Sequence, residues 1–253
     1  MTEQITSRKN PLMTHIRKLE SSRSYRREQG EFLGDGVKLL DEAVKWKAPL
    51  TAVVSTPGTQ LPPLPEGVRH VEVPGDLMAS ISPAKSPQGA LFLCRMGAMT
   101  LPELTGRRYL VLDGLQDPGN VGTIWRTADA LGADGLILVN GCADPYNPKT
   151  VRATMGAAFR LPLWETEPAE LSAALMRAEL PLYATALRED TVDLRQAGLD
   201  RCAVVIGSEG QGISGDLLAR SQLTLKIPMT ARCESLNAAV AAAIVLWEMG
   251  REN

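Results

Sequence analysis

The second half of the chain alternates short, uniformly apolar runs with stretches of helical period. Residues 109–113 (YLVLD), 135–139 (GLILV), 182–186 (LYATA), 202–206 (CAVVI) and 223–227 (LTLKI) lack the in-out alternation of half-exposed strands. They read as strands covered on both faces, as in a parallel sheet. Between them, residues 121–131 predict a helix stopped by Gly132 as a left-handed cap. Asn147 and Pro148 make a cap and first-turn signature for a helix running to about Gly156. Further helices are expected over 168–178, from Ser214, and across the Ala-rich end of the chain, with a short strand at 161–164. The expected class is α/β, a mostly parallel sheet with helices on both faces.

The first half is smaller and less regular. Residues 32–46 predict a helix with Val37, Leu40 and Val44 at helical spacing, leading into a strand at 50–54. A Pro-rich stretch at 56–67 must be loop. Strand 71–73, a helix near 76–80 and strand 90–94 follow, and residues 97–106, with Gly, Pro and no periodicity, read as a linker. The organisation predicted is a basic extension at 1–30, a small α/β domain at 31–96 and a larger domain at 107–253.

Composition changes this picture little. Hydrophobic content of 44% and charged content of 22% suit a soluble globular protein. No apolar run reaches transmembrane length, and the first ten residues lack the apolar core of a signal peptide. Cys94, Cys142, Cys202 and Cys233 are scattered without a CxxC pair, and His15 and His70 lack partners at motif spacing. The cysteines read as reduced thiols of a cytoplasmic protein, the histidines as surface residues, and no metal site is expected. Net charge is −2, yet residues 1–30 carry seven Lys/Arg against three Glu. That segment, through Arg23, Arg26 and Arg27, is the candidate phosphate contact.

Three polar turns share a strand-to-turn-to-helix context: 119–126 (GNVGTIWR), 206–214 (IGSEGQGIS) and 234–237 (ESLN) after strand 223–227. Open α/β sheets hold ligands at such carboxyl ends of strands, so the three suggest one composite site. The familiar nucleotide motifs fail on spacing. GSEGQG is not the dinucleotide G-x-G-x-x-G, and there is no G-x-x-x-x-G-K-[ST] phosphate loop. A nucleotide-dependent oxidoreductase therefore lacks its fingerprint. There is no G-x-S-x-G and no His placed to serve a Ser nucleophile, which argues against hydrolase chemistry.

Together, 120–128 (NVGTIWRTA), 206–214 (IGSEGQGIS) and the pair IPM at 227–229 with SLNAAV at 235–240 resemble the three ordered motifs of the SpoU (TrmH-type) branch of the SPOUT RNA methyltransferases. The block NPKTVRATMGA at 147–157 is similar to the same family, and the likeness covers about 107–250. The amino-terminal half resembles the family's substrate-binding domain, a small ribosomal-protein-like α/β fold. The resemblance implies S-adenosylmethionine-dependent ribose 2′-O-methylation of RNA, a deep trefoil knot in the carboxyl-terminal domain, and a homodimer that completes the site. Knots are nearly absent from proteins, so no periodicity would have announced one.

Carried over by position, donor contacts fall at Gly207, Ile227 and Leu236, and the catalytic arginine at Arg126. A guanidinium stays protonated in proteins, so a forked grip on a substrate phosphate with partial stabilisation of an alkoxide suits it better than a base. Asn120 either caps the following helix or orients Arg126 or the ribose; Glu209 either holds Arg126 or Asn120 or simply sits in a turn. Ser235 and Asn237 shape the acceptor pocket, with helix capping as the plainer role for Ser235. Ribosomal RNA is favoured over transfer RNA. A silent RNA-binding relative would have lost Arg126, Glu209 or Asn237, and none is lost.

Overall fold

The computed structural model describes residues 2–186, 188, 191–230, 232 and 235–251; Cys233, and Glu234 of the third turn, lie outside the described residues. In chain order the first elements are β1 (Glu3–Gln4), α1 (Pro11–Ser21), α2 (Arg23–Gln29), β2 (Glu31–Asp35), α3 (Val37–Lys45), β3 (Leu50–Ser55), β4 (Arg69–Glu72), α4 (Gly75–Ala79) and β5 (Ala90–Arg95). There follow β6 (Arg108–Asp113), α5 (Pro118–Ala130), β7 (Gly135–Val139), α6 (Pro148–Ala153), β8 (Leu163–Glu165), α7 (Pro168–Arg177), β9 (Leu182–Thr185) and β10 (Val192–Asp193). The last are β11 (Cys202–Gly207), α8 (Gly215–Arg220), β12 (Leu223–Lys226) and α9 (Ala238–Met249). The chain divides into two compact units, Met1–Gly97 with Asp144–Arg160, and Ala98–Ala143 with Leu161–Asn253.

The first unit holds a mixed sheet of order β1-β4-β3-β5-β2, with β5 antiparallel to both neighbours. The basic segment 1–30 is not an appendage but part of this unit's core. Asn10 caps α1 by accepting from Leu12 N at 2.9 Å, and Leu12, Met13, Ile16 and Leu19 form a buried stripe on that helix. They join Leu33, Val54, Val71 and Leu91 in one cluster. Residues 32–35, expected in a helix, are strand; Gly36 at φ +103 separates β2 from the shorter α3. Gly34 within β2 is required, because a Cβ there would lie 2.1 Å from the Phe92 ring. Segment 144–160, contiguous in sequence with the larger domain, packs here through aromatic contacts of Phe32 with Tyr146 and Phe159 at centroid distances of 4.8 and 6.4 Å.

Arg26 ties that segment down. Its Nε and Nη2 donate to Asp144 Oδ2 at 2.9 and 2.5 Å, and Nη1 donates to the Leu19 carbonyl at 2.5 Å. The residue is only 2% exposed, so it is a structural cation and not a phosphate contact. His15 is likewise structural: its ring bridges Tyr25 Oη and Glu31, each at 2.9 Å.

In the second unit seven strands run in the order β10-β12-β9-β11-β6-β7-β8, and every recorded pairing is parallel. One face packs Val111, Ile137 and Val205 on Leu171, Leu175 and Leu217 of α7 and α8. Alternation along each strand sends Leu110, Leu112, Val204 and Ile206 to the opposite face, where α5 and α9 bury Val121, Trp125, Ala242 and Leu246. The expected α/β class with helices on both faces is what the structure has. Cys94, Cys142 and Cys202 are buried, and burial pushes their thiols up to about 12, 11 and 12 respectively.

Removing one partner of a buried ion pair leaves the other charged and dry, at a cost of about 3–5 kcal/mol. Arg26→Ala is therefore expected to lower unfolding free energy in urea by about that amount. Arg27→Ala, on the exposed side of α2, should stay within about 0.5 kcal/mol of the parent. Equal effects of the two variants would show that the Arg26–Asp144 pair does not hold the unit.

Candidate functional site

The site lies at the carboxyl ends of β6, β7 and β11 in the second unit. At the end of β6, Asp113 is 3% exposed; its Oδ1 accepts from Asn140 Nδ2 at 2.7 Å and its Oδ2 from the Ser214 amide at 2.6 Å. One carboxylate thus fixes the turn after β7 and the entry to α8. The chain then descends to Asp117, whose side chain accepts from the Asn120 amide at 2.8 Å and caps α5, with Pro118 at its first position. Asn120 is therefore not the cap, and its amide side chain is left for other work.

That work is with Glu209. Its Oε1 accepts from Asn120 Nδ2 at 3.0 Å, Asn237 Nδ2 at 2.6 Å and the Ala238 amide at 3.2 Å. Asn237 Nδ2 also donates to Asn120 Oδ1 at 3.2 Å. Asn237 caps α9, its Oδ1 accepting from Ala239 N at 2.9 Å and Val240 N at 3.3 Å. Ser235, expected as the cap, lies two residues before it and is exposed. The three sequence motifs thus converge through side chains separated by 89 and 28 residues.

Three cavities meet at this cluster. One of about 410 Å³ is walled by Ile206, Gly207, Ile227, Met229, Leu236 and Ala241 among others, with Glu209 and Ser235 at its edge. A second, of about 840 Å³, is lined by Asp113, Gln116, Asn120, Asn140 and Glu209. A third, of about 660 Å³, runs between α5 and α9 past Asn120, Thr123, Asn237 and Trp247. The loop 208–212 divides the first two and is closed by reciprocal bonds between Ser208 and Gly212, N to O at 3.0 and 2.9 Å. Gly207 allows that closure: a Cβ there would fall 2.3 Å from the Gly212 carbonyl carbon. Arg126 is exposed on α5 and, among the described residues, lines none of the three cavities. Six residues beyond Asn120, it lies on another stripe of the helix. Among the described residues no group of three or more His, Cys, Asp or Glu is placed to hold a metal ion.

A model of the SpoU rRNA Methylase family matches residues 107–247, and a model of an MRM3-like substrate binding domain matches residues 10–91. The chain belongs to the SpoU rRNA methylase family. It is 32% identical over 248 residues to the 23S rRNA (guanosine(2553)-2′-O)-methyltransferase RlmP of Bacillus subtilis, covering 98% of this chain and 99% of the relative. Its fold is similar to that of an AdoMet-bound rRNA methyltransferase from Sinorhizobium meliloti, with TM-score 0.86, 30% identity, and coverage of 98% and 97%. It also resembles the SpoU methyltransferase AviRb from Streptomyces viridochromogenes in complex with AdoMet, with TM-score 0.84, 28% identity, and coverage of 96% and 97%.

The first cavity suits the methyl donor of this SpoU chain. Its volume lies in the range of small-molecule sites, it offers apolar walls for an adenine, and at Gly207 backbone replaces side chain. Gly207, Ile227 and Leu236, carried over from motif positions, all line it. Asp113 and Asn140 were missed in the sequence. A carboxylate ending an otherwise apolar run was the available signal, since a buried acid at a strand's carboxyl end must have partners.

Asn237→Ala removes a cap and a donor to Glu209 together. A cap alone costs about 1 kcal/mol, so thermal unfolding should show a loss above that, while Asn237→Ser should recover the capping part. If Asn237→Ala and Asn237→Ser are equally stable, the cap contributes nothing.

Proposed function

We infer that the protein transfers the methyl group of S-adenosylmethionine to a ribose 2′-hydroxyl of RNA, ribosomal RNA before transfer RNA. The observation carrying this reading is the Glu209 cluster: it joins the three motifs at the lip of a donor-sized cavity. Relatives such as RlmP, which match the chain along nearly its whole length, are named for 23S rRNA. A silent RNA-binding role is disfavoured because Asn120, Glu209 and Asn237 are not merely present but bonded to one another.

In this reading Gly207, Ile227 and Leu236 hold the donor, which when bound supplies an electrophilic methyl group on sulfur. Glu209 fixes the amides of Asn120 and Asn237 where a ribose enters from the second cavity. Orientation of that hydroxyl supplies much of the rate. Ser235, on the cavity edge, shapes the acceptor side. Arg126 grips the adjoining phosphate and steadies the alkoxide as its proton leaves.

The position of Arg126 away from the cavities supports a dimer in which each copy's arginine serves the other's site. Val240, Ile244 and Trp247, 49%, 36% and 68% exposed at helical spacing on α9, form the apolar stripe that a second copy would cover. α9 packs on α5 and β11, and the trefoil knot expected from the family is part of this reading. The first unit serves as the RNA-binding domain and the second as the methyltransferase domain. With bacterial rRNA methyltransferases as relatives, the cytoplasm is the compartment of this reading. Of the basic residues near the amino terminus, Arg23 and Arg27 remain candidates for phosphate, whereas Arg26 is committed to Asp144.

Arg126→Ala should lower methyl transfer to ribosomal RNA by 100-fold or more, roughly the loss of one transition-state donor, while S-adenosylmethionine affinity by calorimetry stays unchanged. Arg126→Lys should rescue poorly, since a point charge does not replace a fork. Near-parental turnover of Arg126→Ala would remove the arginine from the mechanism. Gly207→Val should force the 208–212 loop outward and weaken donor binding strongly; unchanged binding in a folded variant would move the donor to another cavity.

A further inference from the structure

The first unit carries a groove that the methyl-transfer site does not use. On α3, Lys38 and Glu42 are four residues apart, and Trp46 follows four beyond, so the three share one face of the helix and its cap. Leu40 and Ala43 are buried on the other side. Segment 144–160 lies against this face. Arg160 pairs with Glu42, and its guanidinium stands 5.5 Å from the centroid of the Trp46 ring; Arg152 pairs with Asp35. Gly156 brings the backbone close, since a Cβ at its φ of +94 would lie 2.9 Å from Glu42 Cβ.

Two large apolar side chains nevertheless remain in the open on this face, Trp46 at 49% and Met155 at 48%. Met155 reaches its position from a left-handed backbone, φ +48, that costs a non-glycine residue about 1 kcal/mol or more. Met155 lines a cavity of about 330 Å³ with Gln88, Arg152, and Lys38 and Leu39 of the same helix as Trp46; its two carboxylates, Asp35 and Glu42, are paired with Arg152 and Arg160. Lys45 and Lys47 flank Trp46 and are exposed. An exposed indole bracketed by lysines, on the same helix as Lys38 and Leu39 of a base-sized pocket that an amide also lines, has the parts that hold unpaired nucleotides: ring faces stack, ammonium groups meet phosphates.

We propose that this groove binds two successive unpaired nucleotides of the RNA substrate, one base stacked on Trp46 and the next seated in the cavity against Leu39 and Met155. Lys38, Lys45 and Lys47 take the phosphate between the two nucleotides and those that flank it, and the Gln88 amide meets the edge of the seated base. The assignment rests on the RNA reading above, and adds that the first unit selects a single-stranded element rather than a duplex.

The test uses the full chain with S-adenosylmethionine present and two probes, a 12-nucleotide oligoadenylate and a 12-base-pair RNA duplex. Trp46→Ala should weaken oligoadenylate binding about tenfold, as loss of one stacked base does, and Trp46→Phe should restore most of it. Lys45→Glu with Lys47→Glu should lower the magnitude of the slope of log affinity against log salt by about 0.7 per lost contact. Donor affinity by calorimetry should not move in any of them. Oligoadenylate affinity unchanged in both Trp46→Ala and the Lys double variant overturns the groove, as does tighter binding of the duplex by the parent protein. In both cases methylation of ribosomal RNA by the parent leaves the methyltransferase reading standing. A parent protein that binds S-adenosylmethionine yet methylates no RNA overturns that reading and the groove with it.

Discussion

One carboxylate oxygen does most to make the second unit a site rather than a sheet with loops. Glu209 sits at the tip of the turn after β11, and its Oε1 receives a donor from α5 and two from the start of α9. The α9 end is where helix polarity favours negative charge, so the contact with the Ala238 amide adds to the cap that Asn237 makes. Each motif alone is an ordinary strand-to-helix turn. Joined at Glu209, the three turns become mutually dependent, and the apolar cavity beneath them acquires a defined polar rim. Asp113 performs the matching task one layer down, binding Asn140 and Ser214 so that the turns after β6, β7 and β11 start from fixed positions.

Much of this second unit was legible before any coordinates. The parallel strands declared themselves as continuous apolar runs because both faces are covered, and the turns stood out by their Gly, Asn and Ser. The caps were read one step wrong. Ser235 and Asn237 are equally good caps in isolation, and so are Asp117 and Asn120; in the fold Asn120 gives its side chain to Glu209, whereas Asn237 both caps α9 and donates to Glu209. Pairings of this kind, between residues 89 apart, leave no trace in local periodicity.

The first unit was harder to read for two physical reasons. Charge concealed the stripe of Leu12, Met13, Ile16 and Leu19, so a core helix looked like a basic tail. Arg26 shows the limit of reasoning from charge: a guanidinium in a basic cluster was assigned to an external anion, while its partner is an aspartate 118 positions away. The strand at 32–35 was absorbed into the following helix because Gly34 and Gly36 interrupt its alternation. Gly34 is there to admit the Phe92 ring, a demand that arises only once β2 and β5 are paired.

The assignment of 144–160 to the first unit also bears on how such a protein can change over evolutionary time. The chain leaves one compact unit and enters the other at three places, after residues 97, 143 and 160. Domains joined by a single linker can be shuffled, lost or duplicated by one recombination event. Here an excision at 97 would strand Tyr146, Phe159 and Asp144 without Phe32 and Arg26, leaving aromatic surface and a buried acid's partner missing. Separating the two units therefore takes cuts at all three crossings rather than at one.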